Sequence, residues 1–127
     1  MSTILLIDDD YAVRLSLRML LEDEGFTVVE AENGEEGIAK YRENPTDLVI
    51  TDLFMPKKEG IETITDLKAA FPDARIVAIS GGGKHIPGGF LVFARQMGAL
   101  HTFEKPIDPE TFLQTIHQLL NGAPAAT

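Results

Sequence analysis

Short apolar runs alternate with longer amphipathic stretches along the whole chain. Five of these runs are four to six residues long, are rich in β-branched residues and end at acidic, polar or turn-forming residues, which is typical of strands. They span Thr3–Asp8, Phe26–Ala31, Asp47–Thr51, Arg75–Ile79 and Leu100–Phe103. Apolar runs this short predict parallel strands that are buried on both faces of a sheet.

The stretches that follow the strands repeat apolar residues at the spacing of an amphipathic helix. Helices are predicted over Ala12–Glu24, between Asn33 and Asn44, over Ile61–Phe71, over Phe90–Met97 and from Asp108-Pro109 onward. Asp10 is placed to cap the start of the first helix and Gly25 its end. Asn33 with Glu36 fits a capping box at the second helix, and Pro109 suits the first position of the last one.

The alternation of strands and helices predicts an α/β fold with right-handed crossovers, in which helices cover both faces of a parallel sheet. We expect a three-layer sandwich of five strands and five helices. A single domain is expected over residues 1–122, because no linker leads to a second one. Residues 123–127 are small, include a proline and are expected to form a disordered tail.

Composition narrows the classes of function. The 127 residues suit one domain, and 44% hydrophobic residues can fill its core. Eleven basic and twenty acidic residues give a net charge of −9, which argues against a nucleic-acid partner and favours a cation or a basic surface. No apolar run reaches the ~18 residues of a membrane span, no signal peptide precedes Ile4, and cysteine is absent. The expectation is a cytoplasmic protein that does not contact a membrane.

Side chains capable of chemistry follow the strands at their carboxyl ends. They are Asp8 and Asp9 after the first strand, Asp52 after the third, Ser80 after the fourth and Lys105 after the fifth. Open α/β sheets bind ligands in the crevice outside the carboxyl ends of their strands. We therefore expect these side chains to meet in one crevice.

Three carboxylates in one crevice repel one another, by about 4 kcal/mol for a pair ~4 Å apart at an effective dielectric constant of about 20. The cluster therefore needs a counter-charge or bound protons, and Lys105 supplies one positive charge. Carboxylate ligands without histidine or cysteine suit a hard cation such as Mg²⁺, which keeps some of its water and leaves room for a phosphoryl oxygen. The pattern indicates phosphoryl chemistry, with one carboxylate as nucleophile and a cation, a hydroxyl and an ammonium group around the phosphoryl oxygens.

The chain resembles the receiver domain of two-component response regulators. Four segments carry the resemblance, in the order of the family and near its spacings, and together they cover almost the whole chain. They are Ile4–Asp9, Asp52–Pro56 with Gly60, Val77–Gly81 and Lys105-Pro106. The resemblance implies a flavodoxin-like, doubly wound sheet with strand order 2-1-3-4-5, the order known for this family. It also implies a stand-alone receiver whose output is a switched binding surface.

The resemblance assigns a role to each matching residue. Asp52 would be the phosphoacceptor and would form an acyl phosphate at the expense of a kinase phosphohistidine. Ser80 would hydrogen-bond one phosphoryl oxygen, and Lys105 would pair with another. The implied partners are a sensor histidine kinase, a phosphotransfer protein, or both, and a downstream protein target. The module would not be an enzyme, beyond weak autophosphorylation and autodephosphorylation.

The implied metal is Mg²⁺. Asp9 would bind it directly, and Asp8 would act mainly through metal-bound water. Asp52 and the backbone carbonyl of Phe54 would be further ligands.

Two features depart from the family pattern. The family usually has tyrosine or phenylalanine three residues before the lysine, where this chain has Thr102, and Phe103 follows at a position expected to face the core. The segment from Ser80 to Lys105 is a few residues longer than usual, with six glycines from Gly81 to Gly98, so the fourth helix is expected to be shortened or displaced. Both features bear on the usual output face, around the fourth helix and the fifth strand.

Two other functions compete with the receiver. Asp8-Asp9-Asp10 reads Asp-x-Asp after a first strand, as in haloacid-dehalogenase-type phosphatases, so a small Mg²⁺-dependent phosphatase with an aspartate nucleophile is an alternative. The chain is short for a phosphatase of this type, and therefore leaves no room for a substrate cap. The other alternative is a docking module without phosphorylation.

Overall fold

The computed structural model describes residues 2–53, 60–80 and 95–121. In chain order, the described elements are β1 (Thr3–Ile7), α1 (Tyr11–Asp23), β2 (Thr27–Ala31), α2 (Gly34–Glu43), β3 (Leu48–Asp52), α3 (Gly60–Ala70), β4 (Ile76–Ser80), β5 (His101–Glu104) and α4 (Pro109–Asn121). Of the helix predicted over Phe90–Met97, only residues 95–97 are described, and these are helical. The tail predicted over 123–127 lies outside the described residues.

All five strands are parallel and lie in the order β2-β1-β3-β4-β5. The fold class and the strand order are therefore confirmed. β3 and β4 each run one residue further than predicted, so that Asp52 and Ser80 are the last residues of their strands. Asp52 pairs with Ile79, and Ser80 pairs with Glu104, which keeps both side chains at the carboxyl edge of the sheet.

Alternate residues of the central strands enter two separate cores, one on each face of the sheet. On β1, Leu5 and Ile7 join the core under α2 and α3, whereas Ile4 and Leu6 join the core under α1 and α4. The central strands β1, β3 and β4 are buried almost throughout, as expected for strands covered on both faces. This double burial fixes the three layers and brings the ends of β1, β3 and β4 to one edge.

Helices α1 and α2 begin close to that edge, where capping side chains fix their first turns. Asp10 Oδ1 accepts hydrogen bonds from the backbone N–H groups of Ala12 and Val13 at 2.9 and 3.3 Å, which confirms Asp10 as the cap of α1. Asn33 Oδ1 accepts from Glu36 N–H at 2.8 Å at the start of α2. The capping box is only half as predicted, since the Glu36 carboxylate accepts from the N–H of Glu32.

The end of α1 is a glycine turn. Gly25 has φ of 95°, a conformation that glycine adopts without strain, and its N–H donates to the carbonyl of Glu22.

None of the helices in the part of the chain that the structure describes has the length and apolar character needed to cross a bilayer.

Candidate functional site: an acidic cluster at the carboxyl edge of the sheet

Three carboxylates meet where β1 and β3 end. Asp8 and Asp9 follow β1, and Asp52 closes the neighbouring strand β3. Each of the three offers an oxygen within 4.8 Å of the others. The structure thus brings together the three acidic residues that the sequence predicted, because neighbouring parallel strands end at the same edge.

Burial divides the cluster into an inner and an outer part. Asp8 and Asp52 are only 1% and 5% exposed, whereas Asp9 is open to solvent. Buried carboxylates are costly unless a cation or hydrogen-bond donors compensate them. The inner pair is therefore the part of the cluster that most needs positive charge, and Asp9 marks the side from which a ligand can enter.

Lys105 supplies positive charge from the end of β5. Its ammonium Nζ lies 3.3 Å from Asp8 Oδ2 and 3.8 Å from Asp52 Oδ2. The Lys105 N–H donates to the carbonyl of Ser80 at 2.9 Å, which ties the segment after β5 to the end of β4. Among the residues that the structure describes, one ammonium group faces three carboxylates, and this negative excess favours a further cation.

The pKa of Asp8 is raised above its ordinary value, chiefly because burial disfavours the ionised carboxylate. The Asp10 N–H, which donates to Asp8 Oδ1 at 2.9 Å, opposes this rise, and so does Lys105. A raised pKa means that ionised Asp8 is less stable in the folded protein than in the unfolded chain. In the absence of a bound cation, ionisation of Asp8 therefore lowers the stability of the fold at neutral pH.

Replacing Asp8 by asparagine should stabilise the protein at pH 7 in the presence of a chelator, by more than the ~0.5 kcal/mol typical of surface substitutions. The stability advantage of Asp8→Asn over the wild type should grow as pH rises from the ordinary carboxyl pKa to the raised pKa of Asp8, because only the wild type must then ionise a buried carboxyl. Urea unfolding followed by circular dichroism at acidic and neutral pH measures both effects. Asp23→Asn, at an exposed carboxyl, is the matched control. Equal stabilities of Asp8→Asn and wild type at pH 7 would contradict the prediction.

Ser80 lies at the same edge, one strand further along. It is the last residue of β4 and is buried, next in sequence to Ile79, the strand partner of Asp52. This position agrees with the predicted place of a hydroxyl beside the carboxylates, although its role stays a prediction. Phe54, whose carbonyl was predicted as a metal ligand, lies outside the described residues.

Gly60 packs against the backbone of the candidate phosphoacceptor. Its N–H donates to the carbonyl of Leu53 at 3.0 Å, and a Cβ at this position would lie 2.2 Å from the carbonyl oxygen of Asp52. Only a residue without a side chain allows α3 to begin this close to the end of β3. The sequence singled out Gly60 as part of a motif but gave no sign of this contact.

A family profile described as response regulator receiver domain matches residues 4–117 of the chain. The chain belongs to the response regulator receiver family. The receiver is thereby a phosphoacceptor module of two-component signalling, as its sequence predicted.

Several relatives match the receiver over nearly their whole length. Chemotaxis protein CheY of Bacillus subtilis is 35% identical over 119 residues, which are 93% of this chain and 97% of that protein. Protein PilH of Pseudomonas aeruginosa is 33% identical over 122 residues, which are 96% of this chain and 100% of that protein. A receiver domain protein from Clostridium thermocellum is 28% identical in sequence and has a TM-score of 0.87, with 96% of both chains covered.

The donor set of the receiver fits a hard divalent cation. Asp8, Asp9 and Asp52 offer carboxylate oxygens within 4.8 Å of one another, and no histidine or cysteine belongs to this group in the described part of the chain. Oxygen-only sites of this kind suit Mg²⁺, which is bound by one or two carboxylates and retains water. The acidic cluster is therefore chemically suited to the metal that the family implies.

The receiver differs from the family at the position of the usual aromatic residue. Phe103 is buried under α4 as predicted, with its ring 5.2 Å from that of Phe112, whereas Thr102 is half-buried on the other face of β5. Phe103 fills the core and does not take the place of the missing aromatic side chain. Position 102 therefore carries a threonine, and the aromatic side chain next to it is committed to the core.

The contact of Arg14 with the acidic cluster could not be predicted from the sequence. Arg14 is buried in α1 and donates from Nη1 to the carbonyl oxygen of Asp8 at 2.7 Å. Its place in an amphipathic helix gave no sign of this contact, because polar positions on such a helix are expected to face solvent.

Proposed function

We propose that this receiver accepts a phosphoryl group on Asp52 from the phosphohistidine of a sensor histidine kinase or of a phosphotransfer protein. The observation that supports this most is the acidic cluster, in which Asp8 and Asp52 are buried and Asp52 Oδ2 lies 3.8 Å from the Lys105 ammonium. One oxygen of each of the three carboxylates lies within 4.8 Å of the others. Grouped, desolvated charges of one sign are unfavourable for folding alone and are typical of functional sites.

In the proposed transfer, a carboxylate oxygen of Asp52 attacks phosphorus in line with the phosphorus–nitrogen bond of the donor histidine. That bond breaks, and its electron pair stays with the histidine nitrogen. Lys105 neutralises charge on one phosphoryl oxygen, and the Ser80 hydroxyl donates a hydrogen bond to another. The product is an acyl phosphate on Asp52.

The residues that would hold Mg²⁺ are Asp8, Asp9 and Asp52, together with the backbone carbonyl of Phe54. When bound there, Mg²⁺ supplies the positive charge that the developing phosphoryl oxygens need. Asp9 is the solvent-exposed carboxylate and would bind the metal directly. Asp8 also pairs with Lys105 at 3.3 Å, which suits a less direct role through metal-bound water.

Helix α1 offers the donor protein a contact surface beside the site. Its exposed apolar side chains Tyr11, Leu15 and Met19 recur every fourth residue and form a stripe that starts next to the acidic cluster. Such a stripe suits a helix of the phosphodonor protein. We place this exchange in the cytoplasm, and the phosphorylated state would bind a downstream protein target and not nucleic acid or a membrane.

The proposal is tested by incubating the receiver with acetyl phosphate and Mg²⁺ and measuring intact mass and free phosphate over time. We expect one phosphoryl group per molecule, with phosphate released only as fast as the adduct decays. Sustained release over many turnovers from small phosphoesters would favour the phosphatase instead. Absence of any adduct would favour the docking module without phosphorylation.

The contacts of Asp10 argue against the phosphatase alternative. That alternative requires Asp8 and Asp10, the ends of the Asp-x-Asp pattern, to face the same substrate. The Asp10 carboxylate instead caps α1 through the N–H groups of Ala12 and Val13. This arrangement supports a phosphoacceptor with at most weak activity of its own.

A further inference from the structure

Arg14 is a buried cation whose side chain contacts the backbone of the acidic cluster. The residue is 8% exposed, and its guanidinium donates from Nη1 to the carbonyl oxygen of Asp8 and from Nε to Glu30 Oε1, at 2.7 and 2.8 Å. Its Cζ lies 5.6 Å from the centre of the Tyr11 ring. A guanidinium is rarely buried unless its N–H groups are paired in this way, so the position of Arg14 is closely defined.

The carbonyl that Arg14 binds belongs to the peptide group between Asp8 and Asp9. A peptide group is planar, so holding its oxygen fixes the rotation on both sides of it, at Asp8 and at Asp9. These rotations decide where the two carboxylates point. The strand itself does not fix this peptide, because the pairing of β1 with both neighbouring strands ends at Ile7.

The rest of the turn is fixed by other bonds. The Asp8 N–H donates to the carbonyl of Ala31 at 3.1 Å, and the Asp10 N–H donates to Asp8 Oδ1 at 2.9 Å. These bonds hold the start of the turn and the Asp8 side chain. Arg14 adds the restraint on the peptide that precedes Asp9.

Glu30 neutralises the charge of Arg14. Its carboxylate is shared with Arg18, whose Nη1 donates to Glu30 Oε2 at 2.7 Å. The hydrogen bond from Arg14 is the largest cause of the lowered pKa of Glu30, and Arg18 lowers this pKa further. Arg14 is therefore already paired and is poorly suited to act as counter-charge for the acidic cluster. That leaves the direction of its hydrogen bond, rather than its charge, as its contribution to the site.

We propose that Arg14 is a positioning residue, which orients the Asp8–Asp9 peptide so that both carboxylates face one cation. This inference rests on the proposed Mg²⁺-dependent function. Residues that orient metal ligands through hydrogen bonds typically change metal affinity by about 10- to 100-fold when they are replaced.

The test compares Arg14→Met with Arg18→Met. Both substitutions remove an arginine from α1 that binds Glu30, but only Arg14 contacts Asp8. Isothermal titration calorimetry with MgCl₂ on the full chain should show Mg²⁺ binding about tenfold weaker in Arg14→Met and unchanged in Arg18→Met. Urea unfolding of each variant separates this effect from a loss of stability.

A second variant keeps the test decisive if Arg14→Met does not fold. Arg14→Lys retains the charge, but a single ammonium group does not reproduce the fork that reaches Asp8 and Glu30 together. It should bind Mg²⁺ more weakly than Arg18→Lys does. In spectra of isotope-labelled protein, the amide resonances of Asp9 and Asp10 should shift in Arg14→Lys and not in Arg18→Lys.

Wild-type Mg²⁺ affinity in folded Arg14→Met, or in Arg14→Lys where only that variant folds, would overturn the inference and leave the proposed function intact. An equal loss in the Arg14 and Arg18 variants would also overturn it, since the effect would then come from Glu30. A wild-type receiver that does not bind Mg²⁺ would overturn the proposed function itself.

Discussion

Asp52→Asn should take up no phosphoryl group from acetyl phosphate in the presence of Mg²⁺, whereas the wild-type receiver should take up one. Asparagine has nearly the same shape as aspartate, so the end of β3 keeps its packing. Its amide is neutral and lacks the nucleophilic carboxylate oxygen, and transfer depends on that oxygen. Intact-mass spectrometry after a short incubation measures the result directly, and the expected effect is a complete loss.

Asp47→Asn is the matched control, because it makes the same substitution next to the opposite end of the same strand. Asp47 directly precedes β3, is exposed and accepts a hydrogen bond from the Thr3 N–H at 2.7 Å. This variant should be phosphorylated as the wild type is. Uptake of a phosphoryl group by folded Asp52→Asn would show that another side chain is the acceptor, and peptide mapping would identify it.

The fold was predictable because the chain repeats a simple physical pattern. Runs buried on both faces must be central parallel strands, and the amphipathic stretches between them have room only as covering helices. The residues at which the strands end were harder to predict from the sequence. Asp52 and Ser80 were placed after their strands because they are polar, yet both continue the backbone pairing with the next strand. Pairing is a property of the backbone, which polarity along the sequence does not report.

The meeting of Asp8, Asp9 and Asp52 could be predicted for the same geometric reason, since the ends of neighbouring parallel strands share one edge. The contacts of Arg14 could not. Its inward direction depends on the carbonyl of Asp8, just after the end of β1, and on Glu30 in the neighbouring strand β2. Both are tertiary features, and an arginine on an amphipathic helix is otherwise expected to lie in solvent.

The close packing of Gly60 against the backbone of β3 could not be predicted from the sequence either. It makes Gly60→Ala a substitution with a large expected effect. Alanine normally stabilises a helical position relative to glycine, by roughly 1 kcal/mol. At Gly60 we expect the opposite, because the new Cβ would lie 2.2 Å from the Asp52 carbonyl oxygen and 2.5 Å from Leu53 Cα. Both atoms belong to the backbone, so no side-chain rotation relieves the overlap. Either the start of α3 or the end of β3 must move.

Gly60→Ala should therefore lose about 1–3 kcal/mol of unfolding free energy, the usual range for overpacking. It should also accept a phosphoryl group from acetyl phosphate more slowly, because the shift displaces Asp52.

Gly37→Ala is the matched control. A Cβ there would meet the Ile7 side chain, with Cδ1 at 2.3 Å, so stability should fall while phosphorylation of Asp52 proceeds as in the wild type. Urea unfolding and timed mass spectrometry on both variants measure the two effects. Wild-type stability and phosphorylation rate in Gly60→Ala would show that α3 can move away from Asp52 at no cost.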